Sequence, residues 1–299
     1  KLRSLHKDDM KVGKAIYNIL SQSTDVQSNF PFNTTDYAPT GTELVTNGDF
    51  SAGVEKILNG SFDTDLSSWT ISGADATHSV TWSAGSARYQ SGTTSPTLLF
   101  YQDALVVGKS YVLTVNITYT SGLLRLGSGI PSTDLVEGLN TLYFVASGVS
   151  ASFLRGGTNV DCLIDNVSIQ ELGEGWTAAQ PADQTVDFNG TQLHINYISG
   201  AAGTGVTQTT LTPYKDYKVT IDVASITGGP FKIQVGDYAT GGQEISTDGI
   251  QTYYLNSGSS NKLWLYRISS SFETYINSIS VQEMILTKIF PELAPPDID

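Results

Sequence analysis

The chain repeats itself once at a spacing of about 110 residues, too long for a solenoid unit and right for a whole domain. The run Leu105-Val-Val-Gly-Lys-Ser-Tyr111-Val-Leu-Thr-Val-Asn-Ile117 recurs as Leu211-Thr-Pro-Tyr-Lys-Asp-Tyr217-Lys-Val-Thr-Ile-Asp-Val223. Leu66-Ser-Ser-Trp69-Thr70 has its counterpart in Gly175-Trp176-Thr177, and the endings Ile164–Leu172 and Ile276–Met284 match as well. Two copies of one domain follow, with the repeat itself running over 55–172 and 173–284.

Within each copy the apolar residues alternate. Tyr111, Leu113, Val115, Ile117 and Tyr119 are separated by polar Thr114, Asn116 and Thr118. Tyr217, Val219, Ile221 and Val223 are separated by Lys218, Thr220 and Asp222, and Phe231, Ile233 and Val235 by Lys232 and Gln234. A period of two with one apolar face is a strand lying on a core. Gly156-Gly157, Gly228-Gly229 and Gly241-Gly242 supply turns between such strands. The expected fold class is mainly β: two tandem antiparallel β-sandwich (jelly-roll) domains with a short N-terminal helix and an extended C-terminal tail. The helix is read from Val12, Ile16, Ile19 and Leu20 at helical spacing, and the tail from Pro291, Pro295 and Pro296. The expected division is 1–42 as helix and linker, 43–172 and 173–284 as the two sandwiches, and 285–299 as a terminal arm.

Charge narrows the choice of partners. Acidic residues outnumber basic ones 29 to 16, for a formal net charge of −13, and no Lys/Arg cluster interrupts this. Neither nucleic acid nor an anionic membrane suits such a surface, and no apolar run reaches membrane-spanning length. Cys162 is the one cysteine, so no intrachain disulfide can form, and its apolar neighbours Leu163 and Ile164 make it a strand residue. Lys1 opens the chain without a signal-peptide pattern, which leads to an expectation of release within a particle over ordinary secretion.

The Asn59-Gly60-Ser61-Phe62 … Trp69 opening and the Ile164-Asp165-Asn166-Val167-Ser168-Ile169 ending form a bracket around the first copy. That bracket resembles the jelly-roll carbohydrate-binding modules appended to polysaccharide-degrading enzymes and found within phage structural proteins. The resemblance covers roughly residues 43–284. It implies a structural Ca²⁺ in the first module, held by Asn59, Ser61 and Asp165; Ser61 replaces a carboxylate of the motif, and in the second module Asn277 replaces the aspartate. Oxygen donors suit such a hard cation. A partial extra opening, Leu44-Val-Thr-Asn47-Gly48-Asp49-Phe50, is read as preceding the first module, and the second module appears as one that goes straight to Gly175-Trp176.

The ends resemble a different family. Lys11–Leu20 with Asp25-Val26 is similar to the opening helix of the tail-completion (tail-terminator) proteins of long-tailed phages, and Leu286–Pro296 to the segment following it. The resemblance implies a virion component of the tail or neck, present in many copies, with residues 1–30 and 285–299 contacting other virion subunits. Its sandwiches would touch host surface polysaccharide. Two alternatives stay open: a capsid or tail decoration protein without a glycan ligand, and a secreted bacterial carbohydrate-binding module.

Catalytic chemistry finds little support. His6, His78 and His194 stand far apart, and no nucleophile elbow, phosphate loop or dinucleotide fingerprint occurs. Two facing carboxylates suffice for glycoside hydrolysis, yet Asp63, Asp65, Asp103, Asp134, Asp183 and Asp248 fall in turns and near module ends. A non-catalytic protein is therefore expected. Sugars are held by aromatic rings against their C–H faces, with amide, carboxylate and guanidinium groups on the hydroxyls. The residues that offer this are Arg88, Tyr89, Tyr101 and Arg125 in the first module, and Asp222, Gln234, Trp264 and Tyr266 in the second. Trp69 and Trp176, at repeated positions, read as core.

Overall fold

A computed structural model describes residues 37–39, 41–157, 159–179, 184–198, 204–235, 242–268 and 271–286. The N-terminal helix expected at 10–20 and the proline-rich tail lie outside these residues. All described secondary structure is β, in four antiparallel sheets that form two sandwiches.

The first sandwich sets two sheets face to face. One has the order β10 (Gly138–Val145), β7 (Ser110–Ser121), β12 (Val160–Leu172), β5 (Ser86–Ser91), β4 (His78–Ser83), with β2 (Ala52–Glu55) added to β12. The other runs β3 (Thr70–Ser72), β6 (Leu99–Asp103), β11 (Ser150–Arg155), β8 (Leu124–Ser128), β9 (Thr133–Asp134). In the second sandwich the orders are β20 (Gly249–Asn256), β17 (Asp216–Gly228), β22 (Phe272–Leu286), β15 (Leu193–Tyr197), β14 (Thr185–Phe188), with β1 (Tyr37–Pro39) on β22, and β13 (Thr177–Ala179), β16 (Gly205–Thr209), β21 (Lys262–Arg267), β18 (Phe231–Val235), β19 (Gln243–Ile245). Strand for strand, the two orders are the same.

Alternation explains the cores. Tyr111, Leu113, Val115 and Ile117 on β7 turn inward, as do Tyr217, Val219, Ile221 and Val223 on β17. Trp69 and Trp176 are buried, one in each core. Burying one large apolar side chain contributes roughly 1.5–3 kcal/mol, and such residues recur on nearly every strand. Cys162 lies fully buried on β12, and desolvation pushes its thiol up to about 12.

The opening segments are crossed. Phe62 packs on Trp69 and Phe100 in the first core, with ring centroids 5.5 and 5.9 Å apart. Phe50 packs on Trp176 and Phe188 in the second core, both at 5.7 Å. Trp69 Nε1 donates to the Asn59 carbonyl at 3.1 Å, and Trp176 Nε1 to the Asn47 carbonyl at the same distance. Glu55 Oε1 accepts from the backbone N–H of Lys56, Ile57 and Ile169, while Glu43 Oε1 accepts from Leu44, Val45 and Val281. Gln102 bonds both backbone groups of Leu58, and Gln208 both of Thr46.

Leu44–Phe50, read from sequence as preceding the first module, is thus the opening of the second sandwich. Residues 43–50 depart from the 43–172 division, because their apolar side chains and backbone groups are satisfied by Trp176, Gln208 and β22. The first sandwich is inserted between the opening of the second and its remaining strands. Gly48 and Gly60 are required at equivalent points, since a Cβ there would collide with the carbonyl oxygens of Ile279 and Val167 respectively. At the junction Lys109 Nζ donates to the Trp176 carbonyl at 3.3 Å and pairs with Glu171.

Candidate functional site

Strand β21 reads Lys262-Leu-Trp264-Leu-Tyr266-Arg267. Leu263 and Leu265 are fully buried in the second core, so the pleat turns Lys262, Trp264 and Tyr266 to the outer face. On β18 the inward residues are Phe231, Ile233 and Val235, leaving Lys232 and Gln234 on that same outer face. Register completes the grouping: Gln234 and Thr207 flank Trp264, and Lys232 and Gly205 flank Tyr266.

Side-chain contacts fix this face. Tyr266 donates its hydroxyl to Gln234 Oε1 at 2.7 Å, orienting the phenol ring and the buried amide together. The Lys262 ammonium stands 5.1 Å from the centre of the Trp264 ring, a cation–π contact. Thr207 Oγ1 is buried with no hydrogen-bond partner, which leaves one hydroxyl beside Trp264 unsatisfied. Two half-buried rings, an amide and two ammonium groups on a sheet face are the chemistry that packs on sugar C–H surfaces and bonds sugar hydroxyls.

Three of the four residues proposed for the second module meet here: Gln234, Trp264 and Tyr266. Asp222 does not. It lies on β17, in the opposite sheet, where its carboxylate accepts from Asn277 Nδ2 at 3.1 Å. Alternation shows that a residue faces outward, but not from which of the two sheets.

The first-module set divides further. Tyr101 on β6 and Arg125 on β8 share the outer face equivalent to that of Trp264, on either side of β11. Arg125 is paired with Asp134 at 2.5 Å. Arg88 sits on β5 in the opposite sheet, bonded through two nitrogens to Asp161 at 3.0 and 2.7 Å. Tyr89 is fully buried and donates to the Leu98 carbonyl at 2.7 Å, with desolvation pushing its phenol up to about 12. It is a core residue, not a ligand contact. Val80, Ala87 and Tyr89 form the inward stripe of β4 and β5, a pattern that the sequence already carried.

Lys232, which alternation already placed outward, joins this face, and sequence reasoning missed Lys262 and Thr207. Their signal was there: each stands directly beside an inward residue, on the strand of Trp264 or a neighbouring one.

The residues that the resemblance implies for Ca²⁺ lie in the opening turn and on β12, and Asn59 and Asp165 each hold hydrogen bonds there. Asn59 Nδ2 donates to the Asp65 carbonyl at 3.1 Å, the Ser67 carbonyl at 3.0 Å and the Ser67 hydroxyl at 3.3 Å, so the amide presents protons to these oxygens. Asp165 accepts from the backbone and side-chain nitrogens of Asn166 at 2.7 and 3.0 Å, and Ser61 is exposed. Among the described residues no three His, Cys, Asp or Glu side chains are placed to hold a metal ion.

Two of the histidines are held in polar clusters. His78, fully buried, bonds Asp75 at 2.7 Å through Nδ1 and faces the Thr94 carbonyl at 3.1 Å and Arg155 at 3.3 Å through Nε2. The bond from His78 is the main reason Asp75 is lowered to about 2. His194 stacks on Tyr275 at 4.4 Å between Asp187 and Glu273, and hydrogen bonding to Asp187 raises its pKa.

No protein-family model matches the chain, and no curated protein matches it in sequence. Among solved structures it is similar to the tandem CBM22-1-CBM22-2 domain of Paenibacillus barcinonensis Xyn10C, at 9% identity and a TM-score of 0.30, over 78% of this chain and 98% of that one. It is also similar to an f-lectin (fucolectin) from striped bass serum, at 12% identity and 0.27, over 78% and 99%. A third is truncated AlyQ with CBM32 and alginate lyase domains, at 10% and 0.23, over 74% and 98%. These neighbours carry carbohydrate-binding and lectin domains. Likeness of this degree leaves the ligand to be argued from the residues themselves.

Proposed function

We propose that the chain is a non-catalytic glycan-binding protein, with its main site on the outer face of β16, β21 and β18. The observation that carries this is the placing of Trp264 and Tyr266 outward beside Gln234 while Leu263 and Leu265 already fill the core. Neither ring is needed to bury the sandwich. The non-catalytic reading is supported by the burial of Cys162 in the core and by the hydrogen bonds that hold the His78 and His194 rings on sheet strands. Tyr101 and Arg125 offer a second, more sparsely furnished face on the first sandwich.

Rings and a few polar bonds exposed to water give an affinity on the order of 0.1–1 mM per site. Attachment then rests on many copies held together, where effective concentration sets avidity. Display on a virion through residues 1–30 and 285–299 would supply those copies, and this part of the reading is supported by the resemblance of the ends to tail-completion proteins.

A glycan array probed with the multimerised full chain tests the reading. The probe must retain residues 37–50, because they complete the second sandwich. We expect binding to at least one bacterial surface polysaccharide, lost in Trp264→Ala. No binding by the multimer to any glycan would refute the proposal.

A further inference from the structure

We infer that the site on the second sandwich selects acidic saccharides, those carrying carboxylates, over neutral ones; this rests on the glycan-binding reading above. The reasoning begins with where the chain leaves its positive charge. Carboxylates are in excess, 29 acidic to 16 basic residues, so most cations should find a partner. Lys56, Arg88, Lys109, Arg125 and Lys215 do so, each within 3.3 Å of a carboxylate oxygen. Arg155 is bonded to the carbonyls of Gly92 and Thr94, and Arg267 to that of Ile268.

Three described lysines have no ion pair, and two of them, Lys232 and Lys262, stand on the outer face that holds Trp264 and Tyr266. They flank the rings. Lys262 precedes Trp264 on β21, and Lys232 is across from Tyr266, which places the two ammonium-bearing positions about 13 Å apart along the strand direction. A saccharide of several units laid along β21 meets a cation at each end.

The first sandwich provides an internal control. Arg125 holds the place of Lys232, facing the partner strand at the same register, and Asp134 holds the place of Glu244. There the pair closes on itself at 2.5 Å. In the second sandwich Glu244 forms no ion pair with Lys232 among the described residues, although the backbone sets them opposite each other. A cation is self-neutralised on one face and left available on the other.

The Lys262–Trp264 contact sharpens the preference. A neutral sugar stacking on the ring must displace an ammonium from it, at a cost of the cation–π attraction. An acidic sugar offers that ammonium a carboxylate in exchange, and the same carboxylate would be repelled almost anywhere else on a chain of net charge −13.

The test pairs uronate- and sialate-bearing saccharides on an array with their carboxyl-reduced counterparts, probed with the multimerised full chain. Acidic members should bind and their reduced forms should lose about tenfold or more. Lys232→Ala or Lys262→Ala should each weaken binding roughly threefold and the double variant about tenfold, as expected for exposed ion pairs. Lys218→Ala, on β17 in the opposite sheet, should leave it unchanged. Equal binding of reduced and acidic forms, or a double variant that binds like the parent, overturns the acidic preference and leaves the glycan-binding reading intact. Silence across both kinds of saccharide overturns both.

Discussion

Removing the Phe50 ring should destabilise the second sandwich, although the residue precedes the whole of the first in sequence. Phe50 is fully buried, with its ring 5.7 Å from both Trp176 and Phe188, and the backbone at Asn47–Phe50 is tied to that core through Trp176 Nε1. A buried Phe→Ala change costs about 3–5 kcal/mol. Domains of this size are stable by about 5–15 kcal/mol in total, so the loss is about a fifth of the second sandwich's stability or more. In melting temperature it amounts to about 10–20 °C. Phe62→Ala should cost as much, but in the first sandwich, where Phe62 packs on Trp69 and Phe100.

Hydrogen exchange read by mass spectrometry separates the two, since β7 and β12 report on one core and β17 and β22 on the other. Phe50→Ala should speed exchange on β17 and β22 and spare β7 and β12; Phe62→Ala should do the reverse. The reasoning fails if Phe50→Ala loosens the first sandwich and spares the second, or if both variants loosen both equally.

Two further outcomes follow from ionisable groups. Bonding to Asp187 and Glu273 raises the pKa of His194, so its stabilising contribution is complete below its ordinary value near 6.5 and is lost as pH rises through the raised value. The second sandwich should therefore lose about 0.2–1 kcal/mol between pH 6 and 9, a loss absent from His194→Gln in matched thermal melts; identical slopes in both proteins would contradict it. Cys162, buried and with its thiol pushed up to about 12, should stay unmodified by a thiol reagent at pH 8 until denaturant is added. Rapid labelling of the native chain would place it outside the core.

The parts of this fold legible in sequence were those written with a period of two. Tyr111 to Tyr119 and Tyr217 to Val223 announce core strands, and the matched endings announce a duplicated sandwich. The crossed openings were hidden by an assumption of contiguity. Asn47-Gly48-Asp49-Phe50 and Asn59-Gly60-Ser61-Phe62 lie twelve residues apart, and nothing local says which of two cores each Phe enters. One count could have shown it: two openings and two endings, with the second copy lacking an opening of its own.

Site residues were legible to the level of facing and no further. Alternation picked out Trp264, Tyr266 and Gln234 correctly as one outward group because β18 and β21 are neighbours in one sheet. Asp222 and Arg88 were outward as well, but on the far sheet. Tyr89 was misread because its polar hydroxyl drew attention from the inward stripe to which it belongs.

The most direct measurement is the footprint of a bound saccharide on the full chain. An oligosaccharide drawn from the array should be titrated into isotopically labelled protein and followed by NMR. Shifts confined to β16, β18 and β21, with the Trp264 indole and the Lys232 and Lys262 amides moving most, are the predicted result. Shifts on the outer face of β17 and β22, or scattered over both sandwiches without saturation, would contradict the site.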